Sequence, residues 1–263
     1  MTNQRLRLLT LALLVGTLML DIGVVELHLF APATTQASDA NFINNPAGNG
    51  AVLMRVADAR TEDCQMIFIG ASNVEFWGTE GLPVWNKYYA PRHALNFGVA
   101  GDRTEDVLWR LDHVNLSFVH PKVAVIFLGL NNITNTPRDT ATGLRAVMKK
   151  AQSLFPGVKT LLVSLTPNQR DDKVVVETNK ILRDYADNQT IFYIDLYSQL
   201  PREANGWKGL RSDQLHLTAE GYQTWADVME PVLQTLLPEK TDPLAKAASS
   251  DGSHDPQEDP LPK

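Results

Sequence analysis

Five short apolar runs, at 66–69, 94–97, 123–128, 160–165 and 191–194, most constrain what this chain can become. Most are continuous rather than alternating, which is the pattern of strands covered on both faces. Helical patterns lie between and after them, at 104–111, 140–154, 174–187 and 218–237. In the last of these, Tyr222, Trp225, Val228, Met229 and Val232 share one helical face. Asp102 or Thr104 is placed to cap the first of these helices, and Thr218 to open the last. Strands alternating with helices predict an α/β fold: a parallel sheet with helices on both sides. In such sheets ligands bind outside the carboxyl ends of the strands. The chemistry is therefore expected in the loops that follow the strands.

The flanks read differently from the middle. Arg5 and Arg7 precede an uncharged stretch of thirteen residues, Leu8 to Leu20. That stretch fits a signal sequence or membrane anchor over 1–31, with Ala31-Pro32-Ala33 as a cleavage candidate. It is short for a bilayer span, which needs about 20 residues. Residues 5–31 are the part expected to meet a membrane, and the protein is expected to be exported, either anchored or periplasmic or secreted. The alternative is an amphipathic N-terminal helix docked on the domain. Residues 32–51 read as a linker, its stretch 34–50 rich in Ala, Asn, Thr, Ser and Gly. Residues 239–263 contain no aromatic side chain and read as a disordered acidic tail. One domain of ordinary size, 52–238, remains.

Composition excludes some functions. A net charge of -6 argues against a nucleic-acid partner, which normally meets a basic surface. Half of that charge lies in the tail, where six acidic residues outnumber three basic ones. The single Cys64 can form no intrachain disulfide and cannot supply a thiolate zinc site. No Gly-x-Gly-x-x-Gly follows a strand and there is no phosphate-loop lysine motif, which disfavours a nucleotide binder.

Four loops carry polar residues suited to one reaction. After the first run comes Gly70-Ala71-Ser72-Asn73, a small-residue turn able to present a serine hydroxyl; a lipase-type elbow would need Gly where Val74 stands. After the second comes Gly98-Val99-Ala100-Gly101-Asp102, and after the third Gly129-Leu130-Asn131-Asn132. Before the last helix stands Asp213-Gln214-Leu215-His216, whose spacing lets the carboxylate reach one imidazole nitrogen and turn the other outward. Each motif alone is explained by capping or turn chemistry. Together they supply what acyl transfer requires: a nucleophile (Ser72), a base (His216), a group orienting it (Asp213) and oxyanion donors. The backbone N–H groups of Ser72 and Gly101 and the Asn131 amide are placed to be those donors. His93, His113 and His120 belong to no such pattern; Trp77, Trp85 and Trp207 are candidates to line a substrate groove or, as large aromatics near helices more often do, to pack the core, and Trp109 reads as packing.

These four blocks, in this order, resemble those of the SGNH, or GDSL-type, hydrolases, over roughly residues 65–237. Within that family the chain is most similar to the branch of intracellular platelet-activating-factor acetylhydrolase catalytic subunits. That likeness rests on His93-Ala94-Leu95-Asn96-Phe97-Gly98, Val107-Leu108-Trp109-Arg110-Leu111 and Leu215-His216-Leu217 before Gly221-Tyr222. The resemblance implies a flavodoxin-like three-layer α/β/α sandwich with a five-stranded parallel sheet, no metal or cofactor, and ester hydrolysis through an acyl-serine. It assigns Ser72 as nucleophile, His216 as base, Asp213 as its orienter, and Ser72, Gly101 and Asn131 as the oxyanion hole. Three positions depart from the family: Ala71 replaces an Asp, Asn73 stands in place of an apolar residue after the serine, and Leu130 replaces a Thr. The loss at Ala71 is expected to disturb loop order more than chemistry. The implied substrate is a small-molecule, lipid or glycan ester carrying a small acyl group, acetyl first. A lysophospholipase or thioesterase acting on longer chains, and a catalytically degenerate carbohydrate-binding relative, stay open. So does the oligomeric state.

Overall fold

The computed structural model describes residues 46–61 and 63–238. Helix α1 (Pro46–Asp58) leads into strand β1 (Met66–Gly70), then the short α2 (Ser72–Glu75), α3 (Leu82–Tyr88) and β2 (Leu95–Asn96). Next come α4 (Thr104–His113), β3 (Val123–Phe127), α5 (Pro137–Leu154), β4 (Lys159–Val163), α6 (Asp172–Arg183) and β5 (Ile191–Ile194). A two-stranded ribbon, β6 (Arg202–Glu203) and β7 (Gly206–Trp207), precedes the last helix, α7 (Ala219–Leu236).

The five main strands form one parallel sheet in the order β2-β1-β3-β4-β5. Every residue of β1 and β3 is buried, as continuous apolar runs require. The edge strand β5 is only half-buried before Ile194, so burial on both faces fails where a neighbour is missing. Helices α4, α5 and α6 pack in a row, while α3 packs against α7. Right-handed crossovers put these two groups on opposite faces, giving three layers. Under α3 and α7, Trp77, Tyr89, Tyr222 and Trp225 are fully buried around Phe68. Side chains of this size contribute on the order of 2–3 kcal/mol each by leaving water. The chain runs from β1 to β2 on one side and later to β3 on the other. That reversal opens a crevice at the carboxyl ends of β1 and β3.

Several boundaries differ from those the sequence predicts, each for a local reason. Helix α1 starts at Pro46, so the glycine- and asparagine-rich end of the stretch expected as a linker, 46–51, is helical. Val52 and Val56 are buried there, and Arg55 donates to the carbonyls of Asn96 and Gly98, both at 2.7 Å. The cap position of α4 belongs to Arg103, whose N–H is taken by the Asp106 carboxylate at 2.8 Å. Neither Asp102 nor Thr104 fills it. Helix α5 starts at Pro137 because the Thr136 hydroxyl accepts from the Asp139 N–H at 3.1 Å. Helix α6 stops at Arg183, short of 187, where one Asp187 oxygen gathers the N–H groups of Gln189, Thr190 and Ile191. Thr218 caps α7 as expected. Trp109 is half-buried and stacked on His113, so it is not part of the main core. The expected signal or anchor over 1–31 and the tail 239–263 lie outside the described residues. Among the described residues no helix is long and apolar enough to cross a membrane.

Candidate active site

The nucleophile candidate stands where β1 meets α2. Gly70 ends the strand against the neighbouring β3, and a Cβ there would collide with the Phe127 carbonyl and the Val74 side chain. Only glycine lets the turn come this close. The Ala71 carbonyl then accepts from the N–H groups of Val74 (3.0 Å) and Glu75 (2.9 Å), which folds the chain into α2. Main-chain bonds thus order the turn without the Asp that Ala71 replaces. As the first residue of α2, Ser72 has a backbone N–H with no intrahelical acceptor.

The base candidate arrives from the other end of the chain. Asp213 spreads its carboxylate over the following turn: Oδ1 accepts from the N–H groups of Leu215 and His216, both at 3.0 Å. Its Oδ2 lies 2.7 Å from His216 Nδ1. Burial pushes the Asp213 carboxyl up, but these hydrogen bonds outweigh it and hold the group below the usual carboxylate range. Gln214 adopts φ +51 to make the turn, and its side chain is fixed by accepting from the Trp207 N–H at 2.8 Å and donating to the Arg211 carbonyl at 2.9 Å. The Arg211 N–H in turn donates to the His216 carbonyl at 2.7 Å. A carboxylate only accepts, so Nδ1 carries the proton and Nε2 presents its lone pair. That lone pair meets Ser72 Oγ at 3.0 Å. The Phe76 ring packs beside the imidazole, with the Arg211 guanidinium over its outer face.

The oxyanion candidates divide. Asn131 follows β3 and lines the same small cavity as Ser72, together with Ala71, Leu130 and Leu215. One of its amide protons goes to the Asp102 carbonyl at 2.8 Å, leaving the second for a ligand. Gly101, at φ +87, sits in the turn closed by the Asp102 N–H on the Val99 carbonyl. It is next to the residue that holds Asn131 but does not line the cavity. That cavity measures about 10 Å³, room for roughly one water-sized group. Far larger hollows lie elsewhere: one of about 830 Å³ is bounded by Gln65 and Lys122, at the amino ends of β1 and β3. Size alone would misplace the chemistry.

Beneath the loops lies a polar framework that the sequence does not announce. Asp102 and Arg110 form a bidentate pair, 2.5 and 2.9 Å, with side chains only 1% and 3% exposed. Burial pushes the Asp102 carboxyl up to about 6, because the guanidinium offsets only part of the lost hydration. Glu75 accepts from the Ala100 N–H at 2.6 Å, tying α2 to the second loop. Asn96 donates to the Val74 carbonyl at 2.8 Å and accepts from the Gly98 N–H at 3.0 Å. The fully buried Asn132 accepts from the Thr104 N–H at 3.0 Å, joining the third loop to α4. Asparagines inside two of the loop motifs are a faint signal of such bracing, since one carboxamide can both donate and accept.

Comparison with known proteins gives the family of the chain. Residues 68–224 match the GDSL-like Lipase/Acylhydrolase family. The chain is 32% identical over 125 residues to the platelet-activating factor acetylhydrolase IB subunit alpha1 of Rattus norvegicus, covering 48% of this chain and 53% of that one. To the Homo sapiens subunit alpha1 it is 26% identical over 201 residues, covering 67% and 86%. Several curated relatives, the rat protein among them, are thus matched over only about half their length. In fold it is similar to a GDSL-like lipase from Bacteroides thetaiotaomicron, with a TM-score of 0.53 at 19% identity over 70% of this chain and 98% of that one. The family match takes in β1 from Phe68, the other four strands of the main sheet and the start of α7, which together carry every loop at the crevice. The chain belongs to the GDSL-like lipase/acylhydrolase family.

Proposed function

We propose that the protein is a serine esterase that removes small acyl groups, acetyl first, through an acyl-serine intermediate. One observation carries this reading: Ser72 Oγ, His216 Nε2, His216 Nδ1 and Asp213 Oδ2 form an unbroken hydrogen-bonded chain, with contacts of 3.0 and 2.7 Å. Ser72 attacks the ester carbonyl while His216 Nε2 takes the hydroxyl proton, and Asp213 stabilises the imidazolium. The backbone N–H group of Ser72 and the second amide proton of Asn131, both at the cavity, receive the negative oxygen of the tetrahedral intermediate, while Gly101, outside it, shapes the turn whose Asp102 carbonyl holds Asn131. Collapse breaks the ester C–O bond, and the leaving alkoxide takes the proton from His216. Water then attacks the acyl-serine, giving its proton to His216, and the second collapse returns it to Ser72 and frees the carboxylic acid.

The choice of a short acyl group is supported by the small size of the cavity beside Ser72, about 10 Å³. The names of the acetylhydrolase relatives point the same way. An intact serine–histidine–aspartate relay also argues against a degenerate binding protein. The test is Ser72→Ala, which is expected to abolish both p-nitrophenyl acetate hydrolysis and labelling by a fluorophosphonate. Full labelling of that variant would sink the assignment, and faster turnover of long-chain esters than of acetate would overturn the small-acyl reading.

A further inference from the structure

The two reacting groups are 144 residues apart in the chain, yet 3.0 Å apart in space. Asn73, the residue after the serine, is 3% exposed. Its Nδ2 donates to the Leu215 carbonyl at 3.2 Å, and its Oδ1 accepts from the Leu217 N–H at 3.0 Å. Those are the main-chain groups on either side of His216. The carboxamide thus pairs with this segment as a neighbouring strand would, with the base between its two contacts. Its own backbone carbonyl accepts from the Tyr222 hydroxyl at 2.8 Å, fastening the same turn to α7. An apolar side chain would fill the volume but leave a buried carbonyl and a buried N–H unpaired.

We infer that Asn73 is a positioning residue: its carboxamide sets the distance from Ser72 to His216 by holding the main chain on both sides of the base. The inference rests on the Ser72–His216 assignment above. A base displaced by about 1 Å loses much of its effect, a cost on the order of 10- to 100-fold in rate.

The experiment compares the full chain with Asn73→Leu, Ser72→Ala and a core truncation outside the site, Leu182→Ala. Melting temperature, kcat and KM for p-nitrophenyl acetate, and the rate of fluorophosphonate labelling are measured on each. Asn73→Leu is expected to lose about 10- to 100-fold in kcat and in labelling rate with KM little changed. Leu182→Ala is expected to melt lower but to keep the kcat of its folded fraction. Asn73→Ser, which removes both contacts without adding bulk, carries the same expectation should the leucine variant not fold. Wild-type labelling by a folded Asn73 variant overturns the inference, as does a loss that Leu182→Ala reproduces. Labelling that persists in Ser72→Ala overturns the underlying assignment and this inference with it. A silent Ser72→Ala beside a fully active Asn73→Leu overturns this inference alone.

Discussion

Asp213 and Asp102 both stand in loops at the carboxyl end of the sheet and both pair with a nitrogen base, yet one side chain is 45% exposed and the other 1%. Asp213 accepts from backbone N–H groups and from an imidazole, and its carboxyl is held below the usual range. Asp102 faces a buried guanidinium, and its carboxyl is pushed up to about 6. Water accounts for the difference. At Asp213 the ionised form keeps part of its hydration and gains well-aimed donors. At Asp102 two charges have lost theirs, and their attraction returns only part of it. Asp213 is therefore suited to orient a base that changes charge during turnover, and Asp102 to lock a loop that must not move.

Substitutions should separate the two. Asp213→Asn keeps the shape of the turn but presents the wrong partner to Nδ1, and kcat for acetate esters is expected to drop about 10⁴-fold at a nearly unchanged melting temperature. A large loss of stability instead would make Asp213 a structural residue like Asp102. Asp102→Ala leaves Arg110 buried and unpaired, a cost of about 3–5 kcal/mol in chemical denaturation. Activity should follow the folded fraction, and a soluble, stable but inactive variant would break the contrast. Between them lies Asn131→Ala, whose amide is both bonded to the Asp102 loop and aimed at the cavity. It is expected to lose about 10²–10³ in kcat, measured by steady-state kinetics on folded protein.

The smallest effect is one of sign with pH. A depressed carboxyl such as Asp213 lends stability above its unfolded pKa and loses it as pH falls through the folded value. Solvent exposure keeps that contribution small. A raised carboxyl does the reverse, so the contribution of Asp102 is full below about pH 4 and is lost as pH rises through about 6. The stability gap between wild type and Asp102→Ala should therefore narrow from pH 4 to pH 7, and the gap to Asp213→Asn should widen from pH 3 to pH 5. Denaturation midpoints across that range decide the matter; gaps that move together would mean that both carboxylates feel one environment.

What the sequence makes legible follows from how local each signal is. The strands β1 and β3 show as unbroken apolar runs because both faces are covered. Ser72, Asp213, His216 and Asn131 show because their blocks are compact and their chemistry matches. Helix α1 does not show, since Gly48 and Gly50 are poor helix formers and only packing on β2 and the second loop holds them helical. The Asp102–Arg110 pair and the contacts of Asn73, Glu75 and Asn132 are also illegible, because each joins segments whose proximity exists only after folding. Gly101 marks the other limit: its block is recognisable, but that it does not line the cavity is a matter of three-dimensional detail.

The 144-residue separation between Ser72 and His216 also has a meaning in time. A chain synthesised as far as Val163 already holds Ser72 and four of the five strands of the main sheet, but not His216. Contacts this remote close late, since the entropy of the intervening loop opposes them until the sheet is in place. On the proposed mechanism the serine is inert throughout most of synthesis and collapse, and it becomes reactive only when the entry to α7 docks. Uptake of a covalent serine probe during refolding then works as a clock for the final step of assembly, and should lag the appearance of helix and sheet.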